Sequence, residues 1–143
     1  MDPYKDGMFQ SNPYCSKTDV LGKLVVVLRS QYEKRGLSLI PQPSRCIRRH
    51  EIHELIVCDE KDIGPGKNAD RIAYLGFVEI SDGGVILVGD QVYCGTKYLG
   101  TIAGYDETHM PNHINIVIFN PERRSGEDVP LKLNETVVFR SQI

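Results

Sequence analysis

The stretch GYDETHMPNHINIVIF, Gly104 to Phe119, sets an acidic pair, Asp106 and Glu107, and two histidines, His109 and His113, around Pro111. A carboxylate with two imidazoles is a ligand set for zinc, iron or manganese. The same groups are also the minimum for general acid–base work near neutral pH. A His-x-x-x-His pair meets on one face only in a helix, and Pro111 forbids that helix because it lacks an N–H and restricts Met110. The two histidines are therefore expected in a loop and at a strand start, where Asp106, His109 and His113 form a candidate divalent-metal set. No other cofactor is expected. The same residues also suit a turn, since Asp and Asn cap turns and Pro stiffens them. Read as a binding rim, the stretch offers Asp106, His109, Asn112 and His113. Arg123 and Arg124 on the next long connection supply charge for an anionic ligand.

Other chemistry-bearing patterns are weaker. HEIHE, His50 to Glu54, spaces its histidines three apart in a segment that reads as extended, so His50 and His53 face opposite sides and do not share a zinc ion. Arg45, Arg48, Arg49 and His50 make a local positive cluster of the kind that holds phosphate or carboxylate. GPGK, Gly64 to Lys67, lacks the spacing and the Ser or Thr of a phosphate loop and reads as a turn. There is no G-x-S-x-G, and the glycines of GDQVYCGTKYLG do not form a dinucleotide fingerprint.

These groups must be positioned by strands. GKLVVVLR, Gly22 to Arg29, carries three consecutive valines that favour a strand, although Val20, Leu24, Leu28 and Tyr32 also recur at helical spacing up to a capping Gly36. LSLIPQPSR suits an edge or an irregular connection. A strand is then expected to end at the turn DIGPGKNAD, followed by strands over Arg71–Ile80, Val85–Val88, Gln91–Cys94, Tyr98–Ala103, His113–Phe119 and Leu131–Arg140. Gly, Asp and Asn punctuate them at the spacing of a small antiparallel barrel or sandwich with little helix. Within HINIVIF, Ile114, Ile116 and Ile118 share one face, with His113, Asn115 and Val117 on the other. Residues 1–17 read as a loosely ordered N-terminal arm and residues 18–143 as a single β domain.

The bulk numbers narrow the function classes. A chain of 143 residues with 41% hydrophobic and 25% charged residues is an ordinary globular domain. A formal charge of -2 gives no global field for nucleic acid or acidic membranes. No apolar run approaches a membrane span, and the polar N-terminus has no signal-like core, so a cytoplasmic location is expected. Cys15, Cys46, Cys58 and Cys94 lie far apart, as free, mostly buried thiols do in a cytosolic chain.

The order of DEKDIGPGKNADRIAYLGFVEI, LVGDQVYCGTKYLGTIAG, PNHINIVIF and LKLNETVVF resembles the IIA component of the glucitol/sorbitol phosphotransferase system, a cytosolic all-β protein. The resemblance runs over about Asp59 to Arg140, with His113 on that family's histidine strand. It implies a β-barrel of an uncharacterised bacterial family, concerned with carbohydrate regulation. The family's phosphoryl-accepting histidine belongs to the strand matched by Arg71–Ile80, which holds no histidine, so phosphoryl transfer by that route is not implied. The sequence therefore points to a non-catalytic module that binds a small anionic molecule or a protein partner, with a homodimer as the expected assembly. A metal-dependent enzyme built on Asp106, His109 and His113 is the alternative.

Overall fold

The computed structural model describes residues 17–141, so the expected arm, Lys17 apart, lies outside the described residues. Twelve strands and no helix occur among them. They are β1 (Val20–Val27), β2 (Gln31–Tyr32), β3 (Leu37–Ser38), β4 (Ser44–Ile47), β5 (Ile52–Cys58) and β6 (Asn68–Ala69). The rest are β7 (Ile72–Asp82), β8 (Gly84–Leu87), β9 (Gln91–Cys94), β10 (Lys97–Asp106), β11 (Asn115–Phe119) and β12 (Thr136–Arg140). No helix among the described residues is long and apolar enough to cross a membrane.

The main sheet runs β1-β12-β9-β10-β11-β5-β7, and β7 pairs back onto β1, so the strand order closes on itself in a barrel-like ring. Its pairings are antiparallel except one. β11 runs parallel to β5, with Asn115 opposite Glu54 and Phe119 opposite Cys58. The sheet is therefore mixed where an antiparallel one was expected: β11 follows β10 by a short turn but meets β5 only after a long stretch of intervening chain, and a connection of that length permits parallel pairing.

The valine run Val25–Val27 lies in strand β1, where burial alternates with a period of two and places Val20 and Leu24 in the core. Burial of that period requires a strand, and the helical spacing of Val20, Leu24, Leu28 and Tyr32 carries no structural weight. Ile114, Ile116 and Ile118 share the central core with Leu55, Val57 and Phe139, as the alternation of HINIVIF requires. The opposite face of the same strands is buried as well. Val117, Ile56, Cys58, Ile72 and Ala103 form a second cluster, covered by Leu37, Leu39 and Ala69. Leu37 and Ala69 come from β3 and β6, two-residue strands that pair with each other across the outside of the ring, and Leu39 directly follows β3. Gly104 permits this cover, since a Cβ on it would stand 2.9 Å from Leu39 Cδ1. Of the cysteines, Cys46, Cys58 and Cys94 are free thiols, Cys46 exposed and the other two buried.

Candidate functional site

On the outer face, three neighbouring strands set a row of side chains. Register places Phe77 of β7 opposite Glu54 of β5, and Glu54 opposite Asn115 of β11. Paired residues in a sheet point to the same side, so an aromatic ring, a carboxyl and an amide stand side by side. Arg35, from the connection between β2 and β3, arches over them and donates from Nε to the Tyr74 hydroxyl at 2.9 Å. With Leu28, Arg29 and His109 these residues line a groove of about 310 Å³.

Glu54 is the unusual member. It is only 8% exposed, and among the described residues no hydrogen-bond donor reaches its carboxyl. Burial pushes its pKa up to about 7, against the lowering influence of the Arg35 guanidinium. At neutral pH the group can accept or release a proton. Beside it, Asn115 donates from Nδ2 to Asp106 Oδ1 at 3.1 Å, while its Oδ1 is buried without a partner. His113 Nε2 stands 3.4 Å from Glu54 Oε1 but outside hydrogen-bond geometry, so it too lacks a partner. Burial, then the neighbouring His109 and His53, hold His113 below the ordinary histidine pKa. The contact is therefore between a neutral imidazole and a half-protonated carboxyl, and it is not an ion pair.

The β10–β11 connection forms one wall. It turns through Met110 N–H to Glu107 C=O at 3.1 Å and Asn112 N–H to His109 C=O at 2.9 Å. His109 stacks on His113 with ring centroids 5.0 Å apart, and His113 meets the edge of Phe77 at 5.2 Å. This three-ring partition separates the groove from a second cavity of about 440 Å³ bordered by Arg45, His50, Glu51, His53 and Met110. His53 is buried there. Its Nδ1 accepts from the Ile114 N–H at 3.1 Å, which leaves the proton on Nε2 facing Glu51 Oε1 at 3.3 Å. His50 stands at a positive φ of 77° in the turn before β5, and both histidines of HEIHE border this one cavity, where an extended segment was expected to turn them to opposite sides.

The metal set expected from the sequence is not gathered. Asp106 is 1% exposed and its oxygens accept from the Ser38 and Thr108 N–H groups and from Asn115. A carboxylate so occupied, at the point where Leu39 bridges to the end of β10, pins the outer cover to the ring. Among the described residues no group of three or more His, Cys, Asp or Glu is placed to hold a metal ion. His109 and His113 do come together, by stacking. Asn112 donates from Nδ2 to His113 Nδ1 at 2.9 Å and borders the second cavity. Arg123 and Arg124 do not line the groove. Arg123 binds Glu33 and the Tyr32 carbonyl, each at 2.8 Å, and Arg124 pairs with Glu122 at 3.4 Å.

Residues 14–140 match the model of DUF6917, a family of unknown function. The chain belongs to this family. No curated protein and no solved structure matches it. For this DUF6917 member the groove is thus read from its own geometry. Arg35, Glu54, Tyr74, Phe77 and Asn115 were missed as site residues by sequence reasoning. One signal was present: Glu54 falls on the same strand parity as Ile56 and Cys58, so a carboxyl stands where an apolar side chain belongs.

Proposed function

We propose that this protein is a non-catalytic binding module whose outer groove takes a small molecule carrying an anionic group. One observation carries the reading. Two arginines, Arg29 and Arg35, border the groove, and Glu54, its one carboxyl among the described residues, is raised by burial to about 7 and so is about half neutral at pH 7. The balance of charge inside favours an anion, and Tyr74, Phe77 and Leu28 offer apolar wall for the rest of the ligand. The buried orphan atom Asn115 Oδ1 in its lining matches a surface prepared for a ligand or for the water it displaces. The free thiols of Cys46, Cys58 and Cys94 suit a reducing compartment such as the cytosol.

The test is a titration of the protein with benzoate and with inorganic phosphate, followed by the ¹⁵N shift of Arg35 Nε. Saturable binding is expected for at least one anion. Arg35→Met is expected to weaken it about 10- to 100-fold, the range of a lost charge-assisted hydrogen bond. Arg123→Gln, outside the groove, is expected to leave it unchanged. Binding indifferent to Arg35, or no saturable binding of either anion, overturns the reading.

A further inference from the structure

Resting on the anion-binding reading, we propose that the groove takes a monocarboxylate together with one proton, carried by Glu54, so that a neutral carboxyl and the Arg35 guanidinium hold the same anionic group. The argument begins with which donors are free. Tyr74 occupies Nε of Arg35, and among the described residues its two terminal nitrogens have no partner. That pair of parallel N–H donors matches the two oxygens of one planar carboxylate. A phosphate presents more acceptors than this groove has donors, whereas the apolar walls Leu28, Tyr74 and Phe77 fit the body of an organic acid.

Glu54 decides the proton. Among the described residues no donor meets its carboxyl in hydrogen-bond geometry: the Nε2–H of His113, whose Nδ1 accepts from Asn112, stands 3.4 Å away but out of line. On β11, Asn115 turns its Nδ2 away to Asp106, and the orphaned Oδ1 is an acceptor. His113, just before β11, is neutral, His109 lies beyond it in the stack, and β7 presents the Phe77 and Tyr74 rings. Only Arg35, with Arg29 at the border, favours the ionised form. A carboxylate ligand that engages Arg35 removes that support and brings a like charge beside Glu54. Both effects stabilise the protonated acid, whose O–H then donates to the ligand. The one bond formed is the O–H of Glu54, its proton given up by solvent as the anion enters.

With the Glu54 titration near 7 in the free protein, binding is expected to weaken about tenfold between pH 6 and pH 8. The experiment follows Glu54 ¹³Cδ and Arg35 ¹⁵Nε across pH, with and without saturating benzoate. The Glu54 titration is expected to move upward on binding, and Glu54→Gln, which keeps a donor, is expected to bind benzoate with no pH dependence in that range. If benzoate shifts Arg35 while the Glu54 titration stays put or falls, the proton uptake is overturned and anion binding stands. PH dependence that persists in Glu54→Gln overturns it likewise, assigning the effect to the histidines. Phosphate binding without benzoate binding overturns the carboxylate class alone, and no binding of either overturns the underlying reading too. The wild-type Glu54 titration decides the matter even if the variant fails to fold.

Discussion

Among the residues, Glu54 and Asp106 show what a carboxyl does when buried with and without donors. Asp106 accepts from three N–H groups and is structural. Asp106→Ala leaves those donors unpaired at the edge of the ring and is expected to cost about 2–4 kcal/mol in urea unfolding. Among the described residues no donor bonds to Glu54, and its folded pKa of about 7 lies above its ordinary 4.5. The fold therefore binds this proton more tightly than the unfolded chain does. Its favourable contribution is present below about pH 4.5 and is lost as pH rises to about 7. Glu54→Gln removes the effect and is expected to stabilise the protein at pH 8 relative to wild type, by up to about 3 kcal/mol compared with their difference at pH 4.5. His53 and His113, with lowered pKa values, work in the opposite direction, gaining stability above pH 6.5 and losing it below. They are common to both proteins, so the difference in urea midpoints across pH isolates Glu54. The sequence showed the charge of Asp106 and Glu54 equally well. It did not show which one met N–H groups, because Ser38 is 68 residues from Asp106 along the chain.

Among the elements, alternation was legible wherever one face meets the core. Ile114, Ile116 and Ile118 could be placed together from spacing alone, as could the strands Gln91–Cys94 and β7. The second covered face was not legible. It exists because β3 and β6, too short to register as periodic patterns, lie across β5 and β11. The arginines of the next connection were misread for a related reason. Arg123 answers Glu33 and Asp59, acids from two remote loops, and Arg71 binds the same two residues. The four charges tie the β2–β3, β5–β6, β6–β7 and β11–β12 connections together. Because Glu33 and Arg71 are well exposed, the network is discounted for solvent, and Arg123→Ala is expected to cost about 1–2 kcal/mol, measured by thermal unfolding.

For the whole molecule, the ring is the feature that matters. Each of its seven strands has partners on both sides, so no long edge is left for the strand-to-strand dimer that an open sheet invites. The class of fold was legible from punctuated β-rich runs. The closure was not, because it depends on Val20 meeting Phe139. Phe139 is fully buried on the strand that completes the ring. Phe139→Ala is expected to cost about 3–5 kcal/mol in denaturant midpoint, the price of a large cavity.

That meeting of β1 and β12 also orders events on the ribosome. The strands that carry the groove, β5, β7 and β11, are all made before β12, and β7 can pair with β1 as soon as it emerges. The outer flanks of β1 and β9 must then wait, unpaired, for β12 to be translated. During that interval two sheet edges face other chains, and the nascent protein is prone to misassociate. The groove is thus built on a scaffold that becomes safe only once β12 has joined it.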